Sequence, residues 1–407
     1  MLDTANEPAR ESRRDLLLNS DAIQADAEAI VGMTDPDKAL FKPNLDRLVK
    51  SVNATARLSP QGYAITHAEL VDAIVNRLES RRWLDRHPEI AEQSIVEPIF
   101  MTGLPRSGTT YFQNLFNIDP AFRQIRAWEA SRICPPPAVD PTSAHKRFEA
   151  TRREIAQRVK LNPEYNAIHL SDADGPEECH PLLTQTFGAA GYHNYLNVPD
   201  YFDYLTSELN LEQTYRNHRQ QLQLLQWGAA PKRWALKYPN HLVAMDVIMA
   251  IHPDARFIVT HRDPRQTLAS LCRLTHSFRA PRSEDRDALL VGRQMRAFVR
   301  RHLDGLMAFA ASAHAGRAIH VDYYYSLEQP AEMMAGVYRD LNLEMAPAVA
   351  HDIRGWVRRN PKNKRGANDY MLADYGLDAD EIAEEYADYI TAFDIPSESK
   401  ALARLSA

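Results

Sequence analysis

The stretch that decides the fold is IFMTGLPRSGTTYFQNLF, residues 99–116. Ile99-Phe100-Met101-Thr102 is a short apolar run that ends at Gly103, which predicts a buried strand. Tyr111 to Phe116 predicts a helix. Between them, Gly103-Leu104-Pro105-Arg106-Ser107-Gly108-Thr109-Thr110 has the G-x4-G-x-[ST] spacing of a phosphate-cradling loop. Such loops work because glycines permit unusual dihedrals and because backbone N–H groups converge at a helix N-terminus. One position departs from the nucleoside-triphosphate pattern. Thr109 stands where a lysine would reach the β and γ phosphates. The loop carries its cation at Arg106 instead, which suits a single 5'-phosphate bearing a transferable group. Read alone, Gly-Thr-Thr is also compatible with an ordinary strand-to-helix turn capped by threonine.

Working outward, short apolar runs recur at Trp234–Leu236 (into Lys237), Phe257–Thr260 (into His261-Arg262) and Ala318–Val321. Strands of this length alternating with helices predict an α/β fold: a P-loop-type parallel β-sheet flanked by helices on both faces. Val291, Met295, Phe298, His302, Leu306 and Phe309 form one helical face, and Ile382, Tyr386, Ile390 and Phe393 another. Residues 1–95 read as a helical N-terminal extension, with a helix over Ala68–Trp83 capped by Thr66 and Glu69. The α/β domain is expected over 96–407, with a helical acceptor-site insertion at about 140–230.

The 407 residues include 44% hydrophobic and 25% charged, ordinary values for a globular chain. The net charge of −6 gives no general nucleic-acid footprint. Three cysteines, Cys134, Cys179 and Cys272, form no CxxC pair, so neither a disulfide framework nor a zinc knuckle is expected. No signal peptide and no transmembrane segment is read, and a cytoplasmic location is expected.

Residues 105–110 resemble the 5'-phosphosulfate loop of sulfotransferases that use 3'-phosphoadenosine 5'-phosphosulfate (PAPS), nearest the bacterial group and the tyrosylprotein sulfotransferases. The resemblance runs from Pro98 to Leu377. It implies that Arg106, Ser107, Gly108, Thr109 and Thr110 hold the 5' end of PAPS, with Tyr111 against the adenine. It implies that Arg262, at a strand end, and Ser270, eight residues later, hold the 3'-phosphate. It places Lys237, in Leu236-Lys237-Tyr238-Pro239, at the bridging oxygen, where a fixed cation stabilises the departing phosphate. Lys364 and Arg365 would close over the 3'-phosphate. Read without the resemblance, these are also compatible with a surface ion pair, a surface lysine, a solvated basic loop and a core aromatic. The implied catalytic set is Glu129, Lys237 and Arg106, with Glu129 as general base. The product is adenosine 3',5'-bisphosphate, and the chemistry needs no metal.

Glu129 has a competing structural role, its carboxylate holding an arginine such as Arg132. A second acidic loop, residues 169–180, offers His169 and Glu177 as alternative bases. The acceptor is open among a small molecule, a lipid, a glycan, a phenol and a peptide. Aromatics including Tyr165, Phe187, Tyr192, Tyr195, Tyr201, Phe202, Tyr204 and Tyr215 either line its cleft or belong to the core. The oligomeric state is open, a homo-oligomer included. Two other functions stand beside sulfuryl transfer. One is a P-loop kinase or other NTP-dependent phosphotransferase. The other is a non-enzymatic phosphonucleotide-binding protein.

Overall fold

The computed structural model describes residues 16–161, 172–360 and 371–405. Three helices come first: α1 (Ser20–Val31), α2 (Lys42–Ser51) and α3 (Pro60–Arg86). The sheet and its connections follow as β1 (Ile99–Gly103), α4 (Thr109–Phe116), β2 (Phe122–Arg123) and α5 (Ala127–Ser131). Next are α6 (Pro141–Leu161), α7 (His180–Thr184), α8 (Tyr192–Tyr195), α9 (Pro199–Ser207) and α10 (Glu212–Gln226). Then come β3 (Arg233–Lys237), α11 (Met245–Ile251), β4 (Arg256–His261), α12 (Pro264–Arg279), α13 (Ala288–Ala310) and β5 (Ala318–Asp322). Helices α14 (Tyr323–Glu328), α15 (Pro330–Asp340), α16 (Pro347–Arg359), α17 (Ala379–Glu385), α18 (Ala387–Ala392) and α19 (Glu398–Leu405) complete the chain.

The five strands lie in the order β2-β3-β1-β4-β5 and every pair is parallel. All five residues of β1 are buried, as a central parallel strand covered on both sides requires. Alternate side chains feed different cores. Phe100, Trp234, Leu236, Phe257 and Val259 face a cluster that includes Leu45, Leu70, Ile74 and Phe298. Ile99, Met101, Ala235, Ile258 and Ile319 face Phe112 and Phe116 of α4 and Met334 and Val337 of α15. The expected sheet with helices on both faces is therefore present. The N-terminal helices share the first of these cores. Arg77 of α3 ties them together through a buried ion pair with Asp35 (Nε–Oδ2 2.7 Å) and lies 4.9 Å over the Phe41 ring.

Two expectations need correction. Helix α3 begins at Pro60, not at Ala68, and its cap is Ser59, whose side chain accepts the Gly62 N–H at 3.0 Å. Thr66 is buried inside the helix. The C-terminal periodicity is split between α17 and α18, with Tyr386 between them at φ −106°, ψ 21°.

The connection after β1 leads toward β2 on one side of the sheet, and the connection after β4 leads toward β5 on the other. That divergence makes a crevice at the carboxyl ends of β1 and β4, where open α/β sheets bind ligands.

Candidate functional site

The loop after β1 is held in a shape that only these residues permit. Gly103 has φ 142°, and a Cβ there would lie 2.4 Å from Thr260 Oγ1. Gly108 has φ 102°, and a Cβ there would lie 2.4 Å from Tyr323 Cδ2. Ser107 Oγ hydrogen-bonds Thr260 Oγ1 at 2.6 Å, which pins the loop to β4. Gly108 is the N-cap of α4 and supplies no capping side chain. The first-turn N–H groups of Thr109 and Thr110 therefore meet no side-chain cap from that residue, which is the arrangement an anion site at a helix N-terminus needs.

Arg106 is left-handed at φ 75°, an uncommon state for a residue with a side chain. Two contacts over-determine it. Its Nε donates to Ser270 Oγ at 2.9 Å, and its carbonyl accepts from Arg262 Nη1 at 3.1 Å. The two elements expected to hold opposite ends of the donor thus meet at Arg106. Asp263 fixes Arg262 in place by capping α12, its side chain accepting from Arg265 N at 3.0 Å. Arg262 Nη2 donates to Glu398 Oε1 at 3.0 Å, and the guanidinium lies 4.8 Å from the centre of the Tyr323 ring. Its Nε is buried with no partner among the described residues.

Lys237 ends β3 and is 1% exposed. Its Nζ donates to Glu178 Oε1, and its carbonyl accepts from Cys179 N at 2.9 Å. Next to this pair, the Tyr238 hydroxyl accepts from Gly191 N at 2.8 Å and from Asn240 Nδ2 at 2.9 Å. With both lone pairs engaged, its proton goes to His180 Nδ1, 3.2 Å away. Burial lowers the His180 pKa to about 4, so the ring is neutral and its remaining proton sits on Nε2.

These parts line one cleft of ≈ 290 Å³. Arg106, Gly108, Thr109, Thr110, Tyr111 and Arg262 contribute to it, together with Glu178, His180, Tyr195 and Tyr238. Tyr111 donates its hydroxyl to the Ser326 carbonyl at 3.2 Å and packs against Trp356. Ser270 is buried behind Arg106, and Lys237 behind Glu178.

Glu129 does not belong to this group. It is 2% exposed and is not a lining residue of the cleft. Its Oε1 accepts from Arg123 Nη2 at 2.8 Å and its Oε2 from the Arg126 N–H at 3.0 Å, closing a capping box on α5. Both carboxylate oxygens are occupied by these contacts, away from the cleft. The arginine it holds is Arg123, whereas Arg132 pairs with Asp72. Glu177 is not a lining residue of the cleft either. Its N–H donates to Ile125 O at 2.8 Å, its carbonyl accepts from Gln113 Nε2 at 2.8 Å, and its carboxylate accepts the Glu178 N–H at 2.8 Å. His169, Lys364, Arg365 and Tyr165 lie outside the described residues. Of the other aromatics, Phe187, Tyr201 and Tyr215 are core, and Tyr195 alone lines the cleft.

Sequence reasoning passed over Glu178 and His180. They stood in the acidic loop it had singled out, and the missing information was which of several neighbouring carboxylates faces Lys237. Among the described residues no group of His, Cys, Asp and Glu is arranged to hold a metal ion. No helix among them is long and apolar enough to cross a membrane.

A sequence model described as the sulfotransferase family matches residues 98–347. No curated protein gave a match. Among solved structures, the chain is similar to sulfotransferase STF9 from Mycobacterium avium, with TM-score 0.85 and 27% identity over 93% of this chain and 97% of that one. It is also similar to sulfotransferase STF1 from Mycobacterium tuberculosis H37Rv, with TM-score 0.82 and 29% identity over 91% of this chain and 99% of that one. With the family pattern spanning well over half of its length, from β1 to the start of α16, the chain belongs to the sulfotransferase family.

Proposed function

We propose that the protein transfers the sulfuryl group of PAPS to a hydroxyl or amine of an acceptor and releases adenosine 3',5'-bisphosphate. The observation that carries this reading is the meeting of the loop and the β4 end at Arg106, with Arg262 Nε buried and unpartnered beside it. A buried guanidinium N–H without an acceptor is costly, and a phosphate oxygen would satisfy it. The uncapped start of α4 offers donors for the 5' end, and Arg262 with Ser270 offers a second anion site for the 3' end. Kinase and non-enzymatic readings lose ground to the family match. Thr109 is the first residue of α4 and puts no cation where a triphosphate needs one.

In the transfer, the acceptor oxygen forms a bond to sulfur while the bond from sulfur to the 5'-phosphate oxygen breaks. The electron pair leaves with the bisphosphate, and the acceptor proton goes to the protein. Lys237 neutralises the leaving oxygen and Arg106 the sulfuryl oxygens. Glu178 is the base. It is the carboxylate that lines the cleft, and His180 presents a proton on Nε2, so it donates to the acceptor oxygen and does not take its proton. Lys364 and Arg365 keep the role of closing over the 3'-phosphate as part of this proposal. The three unpaired cysteines support the cytoplasmic compartment expected for it.

Isothermal titration with adenosine 3',5'-bisphosphate, against ATP and adenosine 5'-phosphate, tests the donor site. Binding should require the 3'-phosphate. Arg262→Ala should weaken it by about 10- to 150-fold, the range for hydrogen bonds to charged groups. A preference for ATP would overturn the proposal.

A further inference from the structure

The cleft changes character along α12. Ser270 and Arg106 mark its polar end. Leu271, Leu274 and Phe278 also line it, spaced three and four residues apart on one helix face. From Ser270 to Phe278 a helix rises about 12 Å, so this apolar wall leads away from the loop. Tyr195 adds an aromatic ring to this lining, with the Arg282 guanidinium 5.5 Å from its centre. Its ring is stacked on Phe278 at 4.6 Å and 14°, and on His180 at 5.4 Å and 26°.

The amide nitrogens of this arm point into the protein. Asn240 gives its Nδ2 to Tyr238 and takes His302 Nε2 on its Oδ1 at 3.0 Å. Asn194 directs its Nδ2 to Thr275 Oγ1 at 3.2 Å. The Tyr238 hydroxyl has both lone pairs and its proton engaged. The polar side chains that this arm presents where it joins the loop are Glu178 and His180.

We infer that the acceptor is an uncharged hydroxyl compound on an apolar body, its hydroxyl at Glu178 and His180 and its body along Leu271, Leu274, Phe278 and Tyr195. This rests on the sulfuryl-transfer reading. A sugar or a charged peptide would strip water from several hydroxyls or ions along this wall and give them few partners in return, which costs binding free energy for each group. An alkyl or aryl body loses nothing there, and each methylene buried adds to transition-state binding.

The test uses the full-length protein with PAPS and two series of probes, 1-alkanols and 4-alkylphenols of rising chain length. Trehalose and an acidic tyrosine peptide are the comparators. kcat/KM should rise about fourfold per methylene until the arm is filled. Leu274→Asp should flatten the rise while leaving adenosine 3',5'-bisphosphate affinity within twofold. A flat series would overturn the inference. So would turnover of trehalose or the peptide equal to that of the longest probes, or no turnover of either series by protein that binds the bisphosphate. Failure to bind the bisphosphate would instead remove the sulfuryl-transfer reading, and the acceptor inference with it.

Discussion

Glu129 and Glu178 are both paired with a cation, yet only one faces space that a substrate could enter. Glu129 has Arg123 on one oxygen and a backbone N–H on the other. Glu178 meets Lys237 from the edge of the cleft. The two carboxylates should therefore respond differently to loss of charge. Glu129→Gln leaves Arg123 with a broken buried pair and should cost about 3 kcal/mol of stability, seen in denaturant unfolding, with kcat little changed in the folded fraction. Glu178→Gln should lower kcat at least 100-fold and remove the acidic limb of its pH profile, while bisphosphate affinity changes little. A Glu178→Gln protein with normal kcat would move the base elsewhere. The sequence alone could not separate these residues. Both admit a structural reading, and which carboxylate reaches Lys237 depends on where β3 ends relative to a loop 59 residues away.

At the scale of elements, caps and strand ends place the chemistry. Asp263 and Pro264 start α12 and thereby place Arg262 and Ser270, through contacts that span two or three residues. Ser59-Pro60 is an equally local signal, lying eight residues before the apolar spacing that begins at Ala68. Ser59→Ala should cost about 1 kcal/mol, measurable as a lowered unfolding midpoint without a change in activity. Helix α19 was invisible as a participant. Its Glu398 occupies Arg262 Nη2, and its N–H donates to Asp263 Oδ2 at 3.0 Å. If Arg262 takes the 3'-phosphate, this carboxylate lies next to an incoming anion. Glu398→Gln should then tighten adenosine 3',5'-bisphosphate binding severalfold in titration, most at low ionic strength. Unchanged affinity would mean that the phosphate approaches Arg262 from another side.

Over the whole molecule, burial of histidines governs the response to acid. Burial lowers the pKa of His180, His252 and His302 to about 4, and that of His218 and His261 to about 3. The unfolded chain, with histidines near 6.5, binds protons at higher pH than the native state does. Stability is therefore complete above about pH 6.5 and declines as pH falls toward 4, by up to about 1.4 kcal/mol per unit for each such group. The Tm should fall on the order of 10 °C between pH 7 and pH 5. A flat Tm over that range would show that these rings stay hydrated. Of these histidines the sequence marks His302, which falls on an apolar helix face; His218, His252 and His261 are removed from water by the closing of the cores around the sheet. By itself the sequence determined the strand-loop-helix at residues 99–116 and the parallel α/β class, because turn geometry, apolar period and helix capping act over a few bonds, and its motifs carried the family resemblance. Tertiary structure alone decided which carboxylate faces Lys237, that Glu129 is held by Arg123, and that the wall beyond the loop is apolar. Those facts depend on strand order and helix packing, which bring together residues far apart in the chain.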